Sequence, residues 1–158
     1  MNTLAVWWDD VRVGTLRESA DGALWFGYAD DSSPRISLSM PVRAPFEYAG
    51  RFFANLLPEG DLRDRLARRL GVAPDRPFAL LAAVGGDCAG ALTLLPEGEQ
   101  PGDSPSRLDL LTSDALTAAI RYGSAGVLLE RGMRLSLAGA QDKIAVVDRD
   151  GALWLPHG

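Results

Sequence analysis

One cysteine, Cys88, and one histidine, His157, are all that 158 residues hold of these two side chains. A lone cysteine excludes an internal disulfide framework, and the two together exclude Cys/His zinc clusters and leave a histidine-based catalytic triad poorly supplied. Long apolar runs are missing as well: nowhere do about 18 apolar residues follow one another. The start, Met1 to Trp8, has neither the basic stretch nor the apolar run of a signal peptide. The expectation is a cytoplasmic chain with no membrane contact. Surplus positive charge is absent too, since 16 Lys and Arg face 21 Asp and Glu for a net charge of -5, so the chain as a whole is no electrostatic clamp for nucleic acid. With 17 glycines and 10 prolines it falls below the low-complexity range, and its 47% hydrophobic and 23% charged residues are near the soluble average. A chain this long hides roughly 70% of its unfolded surface, enough for one ordinary domain or two small ones.

What is present begins with strand signals. Leu4 to Trp8 is a short apolar run, Val11 to Leu16 alternates in part, and Leu24 to Tyr28 is aromatic and follows an Asp21-Gly22 turn signal. These predict an N-terminal antiparallel meander. The pairs Asp9-Asp10 and Asp30-Asp31 have the make-up of metal or acid/base carboxylates, but both adjoin predicted turns, where Asp bonds its own backbone, and the turn is the better reading. Ile36 to Met40 alternates and stops at Pro41, which predicts an edge strand, and Phe46 to Leu57 reads as more helical. Leu62, Leu66 and Leu70 share one face of a helix that Gly71 ends; Arg63, Arg65, Arg68 and Arg69 lie on its other face, interleaved with Asp61 and Asp64, as on a solvated or protein-contacting surface. Asp75 is placed to cap a helix from Pro77 through Val84, closed by Gly85-Gly86, and Gly90 to Leu95 reads as a strand. The glycines around Cys88 match no phosphate-loop spacing and read as a helix stop, with Cys88 a packing residue.

Residues 96 to 106 concentrate turn formers and acids and read as a linker, with a boundary near residue 100. Beyond it, Thr112 or Ser113 caps a helix through Ile120 that ends around Tyr122-Gly123. Met133 to Leu137 and Lys143 to Val147 read as strands joined by the small-residue turn Ala138-Gly139-Ala140-Gln141-Asp142; Asp148 to Gly151 turns into a third strand, Ala152 to Leu155. Three such strands make a poor independent core, so the ending reads as a truncation. A strand, a Gly and Ala turn and an early Lys is the arrangement with which a kinase N-lobe lays backbone N–H groups and one ammonium against ATP phosphates. On spacing alone an ordinary hairpin loop explains the same residues.

The segments Phe52 to Gly60, containing Leu57-Pro58-Glu59-Gly60, then Arg63 to Gly71, Asp75 to Pro96 with Gly86-Asp87-Cys88-Ala89-Gly90-Ala91-Leu92, and Leu135 to Lys143 resemble, in order, the HipA-like serine/threonine kinases, toxins of bacterial two-gene toxin-antitoxin modules. The resemblance implies an α+β fold: a small N-terminal β-meander with helices over residues 1-100, a linker over 101-106, and over 107-158 the first antiparallel strands of a kinase-like N-lobe, cut short. It implies that Ala138, Gly139, Ala140, Gln141, Asp142 and Lys143 line the ATP phosphates, and that Ser136 is the autophosphorylated serine whose modification silences the enzyme. A phosphate placed against an ATP-phosphate site repels the ligand, which is physically consistent; without the family Ser136 is a plain strand serine. It further implies ATP and Mg²⁺ as cofactors, a HipB-like antitoxin as partner, DNA contact only through that antitoxin, and a protein substrate, in the family typically an aminoacyl-tRNA synthetase, whose phosphorylation arrests growth. The second ATP-contacting Lys, the catalytic Asp and the Mg²⁺-holding Asp match no position up to Gly158, so the 158 residues by themselves are expected to be inactive, and His157 is expected in a loop. The alternative is a non-catalytic module that docks on a separate HipA-like kinase or on an antitoxin.

Overall fold

Apolar residues at every second position of the first strands put one face of each toward a common core. In the computed structural model, which describes residues 2–42, 47–87, 91–102, 107–122 and 146–157, β1 (Asn2–Trp8), β2 (Val11–Glu18) and β3 (Leu24–Tyr28) form the expected antiparallel meander. Leu4 stands opposite Leu16, and Leu16 opposite Phe26, all three buried. The sheet grows at both edges. The two-residue β4 (Glu47–Tyr48) pairs with β3, and β5 (Leu92–Pro96) returns to pair with β1, giving the order β4-β3-β2-β1-β5.

Three helices roof the inner face. α1 (Gly50–Ala54) brings Phe53, fully buried, against Phe26 with ring centroids 5.4 Å apart. α2 (Gly60–Leu70) buries Leu62, Leu66 and Ala67 as its period requires. It ends in a left-handed Gly71 (φ 69°), and the Val72 N–H reaches back to the Ala67 carbonyl, a Schellman ending. α3 (Pro77–Val84) is apolar nearly all round and buries Phe78, Leu80, Leu81 and Val84, then passes into a 3₁₀ turn, Gly85–Asp87. Asp75 is not its cap: the N-cap position belongs to Arg76, with no side-chain cap bond, while Pro77 sits in the first turn.

Two further expectations are corrected. Ile36 to Met40 forms no strand; the segment folds around the Tyr28 hydroxyl, which accepts from the Ile36 N–H and donates to the Met40 carbonyl, each at 3.0 Å. The stretch after Pro45 is only partly helical, since β4 precedes a helix that ends at Ala54.

A second, smaller sheet lies beyond the 96–106 stretch. β6 (Arg107–Leu110), β7 (Val147–Arg149) and β8 (Ala152–His157) are antiparallel in the order β6-β8-β7. β6 was not expected as a strand, and His157 closes β8 opposite Arg107 instead of lying in a loop. Asp148 and Arg149 belong to β7, so the turn is the two residues Asp150-Gly151, both with positive φ (54° and 79°), the type I′ geometry of a tight hairpin. α4 (Ser113–Tyr122) starts as expected: the Thr112 hydroxyl accepts from the Ala115 N–H. Its Ala115 and Leu116 pack with Leu153 on the buried Leu111 and Leu155. No helix of the described residues is long and apolar enough to cross a membrane.

Candidate phosphate loop and its setting

The sequence-predicted site, Ser136 and Ala138, Gly139, Ala140, Gln141, Asp142 and Lys143, lies outside the described residues, as do the expected strand Met133 to Leu137 and all of Lys143 to Ala145. The described chain resumes at Val146 and enters β7 at once. The sheet that β7 borders is what the structure describes next along the chain. Its middle strand, β8, alternates: Leu153 and Leu155 turn toward α4, while Trp154 stands in register with Leu110 of β6 and Val147 of β7. The Trp154 indole N–H is buried and finds no acceptor among the described residues. The Leu111 N–H donates to the Leu153 carbonyl at 2.8 Å and continues the pairing past the end of β6. At the opposite end, Arg107 pairs with Asp109 at 2.7 Å, and that carboxylate bond and charge raise the pKa of the guanidinium.

The carboxylate pairs of the first sheet behave as turn formers. Asp9 takes a left-handed φ of 50° in the β1–β2 turn. The Asp30 carboxylate accepts from the Ser32 hydroxyl and from the Ser32 N–H at 2.8 Å, and these bonds hold its pKa below the ordinary carboxylate value. Asp21 is lowered in the same way, first by the Ser19 hydroxyl and then by the Ala23 backbone. Among the described residues no three His, Cys, Asp or Glu come together to hold a metal ion. On α2, the Arg63 guanidinium donates to the Pro74 carbonyl at 2.8 Å, so that member of the arginine face ties the helix to the following loop.

One polar cluster escaped the sequence reading. Glu18, at the end of β2, is 7% exposed; its two carboxylate oxygens accept from Asn2 Nδ2 and from an Arg76 guanidinium nitrogen, each at 3.0 Å. Together with Ser19 and Ala20 these residues line an open groove. Both oxygens are engaged, which makes Glu18 a tie between β1, β2 and the start of α3. Nothing in the local sequence announces it, because Arg76 lies 58 positions away.

The sequence model for the HipA N-terminal domain matches residues 4–95, which take in the five-stranded sheet, but for the first two residues of β1 and the last of β5, and its roof. The chain belongs to that family. The Sinorhizobium fredii protein named "Putative kinase Y4mE" is 41% identical over an alignment covering 99% of this chain and 40% of that protein. A second protein of the same organism, "Putative kinase Y4dM", is 36% identical over 75% of this chain and 32% of its own length. The serine/threonine-protein kinase toxin HipA of Shewanella oneidensis is 47% identical over a shorter stretch, 30% of this chain. In a solved complex of the Shewanella oneidensis MR-1 toxin-antitoxin system, containing HipA, HipB and operator DNA, one chain superposes with a TM-score of 0.69 and 26% identity, covering 96% of this chain and 37% of that one. The chain thus spans about 40% or less of the length of these relatives. The expected α+β class, with antiparallel sheets and a HipA-like N-terminal region, is what the structure and these likenesses show.

Proposed function

We propose that residues 1–158 are the N-terminal part of a HipA-like toxin kinase that uses ATP and Mg²⁺ to phosphorylate serine or threonine on a protein target, arresting growth, and that a HipB-like antitoxin holds it in check. The observation that carries the reading is coverage: a relative named as a kinase aligns with 99% of this chain, past the family domain and through the loop region. In this reading the backbone of Ala138, Gly139, Ala140, Gln141 and Asp142 approaches the ATP phosphates, which requires small side chains at the closest positions. Lys143 supplies the ammonium, and Ser136 is the regulatory phosphorylation site. Phosphoryl transfer itself is positioning and charge stabilisation, so the base and the metal ligands come from residues that match nothing before Gly158.

The test uses the full natural chain carrying these residues, incubated with γ-labelled ATP and Mg²⁺. Lys143→Ala is expected to lower ATP affinity by an order of magnitude or more, on the order of the 1.4 kcal/mol or above that a lost charge-assisted phosphate contact represents. Ser136→Ala is expected to remove one labelled phosphopeptide and leave ATP binding in place. Undiminished ATP binding by Lys143→Ala would overturn the loop assignment, and an unchanged phosphopeptide map for Ser136→Ala the regulatory one.

A further inference from the structure

Arg35-Ile36-Ser37-Leu38-Ser39 and Arg134-Leu135-Ser136-Leu137-Ala138 carry one pattern: Arg two positions before a serine, a branched aliphatic residue just before it, Leu just after it, and a small residue next. No other serine of the chain has these neighbours. Ser19, which also has an Arg two positions before it, stands between Glu18 and Ala20. Kinases discriminate among acceptor serines by the side chains that flank them, so two segments with the same chemistry in the same order present one acceptor pattern twice.

The Ser136 copy lies outside the described residues; the Ser37 copy is a surface tip between Ile36, which packs against the main core, and the buried Met40. Leu38 is 88% exposed, Arg35 and Ser39 are exposed, and Ser37 is partly so. The Ser37 hydroxyl bonds the Ser39 hydroxyl at 2.9 Å and accepts from the Ser39 N–H at 3.3 Å. Arg35 folds over the same tip: its Nε donates to the Ser37 carbonyl at 2.9 Å and its Nη2 to the Leu38 carbonyl. These bonds join residues of the tip to one another, whereas the Tyr28 hydroxyl, accepting from the Ile36 N–H and donating to the Met40 carbonyl, braces its two ends on the sheet. Lifting Ser37 into an extended pose therefore opens the tip and leaves its anchors in place. Arg35 also puts a cation next to the product, since a phosphoserine carries about -1.5 to -2 charges at pH 7 and pairs strongly with a guanidinium in reach.

We propose that Ser37 is a second phosphoacceptor of this chain, modified by the same kinase activity that acts on Ser136; the inference rests on the function proposed above, with ATP as donor. The Ser37 Oγ attacks the γ-phosphorus, the new Oγ–P bond forms as the bond to the β,γ-bridging oxygen breaks, ADP leaves with that electron pair, and the hydroxyl proton passes to the general base of the kinase. The phosphate then draws Arg35 from the Ser37 and Leu38 carbonyls, so modification unlatches the tip.

The experiment incubates the full natural chain with γ-labelled ATP and Mg²⁺ and assigns every phosphate to a residue by mass spectrometry of its peptides. The parent is expected to carry phosphate at Ser37 as well as at Ser136, with none at Ser19. Ser37→Ala should remove the first, leave the second and keep the thermal midpoint of the parent, because the Ser37 hydroxyl bonds within the tip. Arg35→Ala should lower labelling at position 37 by roughly tenfold, the worth of one charge-assisted contact to the kinase, with Ser136 labelled as before. Lys143→Ala should lower both. Phosphate at Ser136 with none at Ser37 overturns the second acceptor and leaves the kinase reading standing; so does phosphate at Ser39 in place of Ser37. Labelling of Ser37 that stays at the parent level in Lys143→Ala while that of Ser136 falls belongs to another kinase and overturns it as well. If the parent transfers no label to any residue, the kinase reading fails and the second acceptor fails with it.

Discussion

The five-stranded and three-stranded sheets are both antiparallel, yet they are stabilised in opposite ways. The first gathers eighteen buried hydrophobic residues from every one of its elements except β4 into one cluster roofed by three helices. Among the described residues the second has a cluster of two buried members, Leu111 and Leu155, with Ala115, Leu116 and Leu153 packed against them. Charge differs in one respect. Besides an exposed pair, Arg12 with Glu97, the first sheet holds a buried carboxylate, Glu18, in a tie to Arg76, whereas the pair described in the second is a local surface contact, Arg107 with Asp109 two residues on. A sheet of three strands needs a helix or a further layer over it to be stable alone, and α4 is the cover visible here. The difference teaches that the region matched by the family model carries a core of its own, while the described residues of the second sheet share only a small cluster.

The widest separation between the two is expected in their cores. Phe53→Ala removes a fully buried ring that touches Phe26 and Phe52, and should cost about 3–5 kcal/mol in chemical denaturation; Leu155→Ala should cost about 2–3 kcal/mol, because a small cluster collapses around the loss more easily. Equal costs would erase the contrast. A smaller effect is expected from the charge ties. Arg76→Ala leaves the buried Glu18 carboxylate with only its Asn2 partner and should cost about 1–3 kcal/mol, tempered by the half-exposed guanidinium, whereas Arg107→Ala, at an exposed pair, should leave the denaturation midpoint unchanged. A double change, Glu18→Leu with Arg76→Met, should recover most of the loss if the tie matters for the buried charge and not for its geometry. The smallest effect sharpens the second sheet alone: Gly151→Ala forces a side chain into φ 79° at the hairpin and should cost about 1 kcal/mol, read as a shift of the thermal midpoint.

Much of this contrast was legible in the residues, and the failures have physical causes. β1 to β3, α2 and α4 follow from periodicity and from end signals with a mechanism, such as Gly71 and Thr112, because those signals act over four residues or fewer. Ile36 to Met40 deceived for the same reason: alternation records only that Ile36 and Met40 turn inward, which a loop folded on Tyr28 achieves as well as a strand does. Asp75 is a good cap residue in isolation, but the cap position fell to Arg76, whose side chain is drawn to Glu18. β6 is four residues long and abuts a turn-rich stretch, so its pattern is too short to read. The pairing of β5 with β1, and of Arg76 with Glu18, is a fact of the folded chain and has no local signature. The proposed site residues, Ser136 and Ala138 to Lys143, come from the family's motif and lie outside the described residues, so the structure neither supports nor opposes them.

The pairing of β1 with β5 also sets a clock. On the ribosome the chain grows at about 5–20 residues per second, so Trp8 emerges several seconds before its partner Leu92 exists. During that interval the β1–β2–β3 meander has one side of β1 unpaired, and an unpaired strand edge is a template for other chains. The nascent N-terminal region is therefore most exposed to wrong association before Leu92–Pro96 is made, and the closing of its sheet is an event of synthesis as much as of folding.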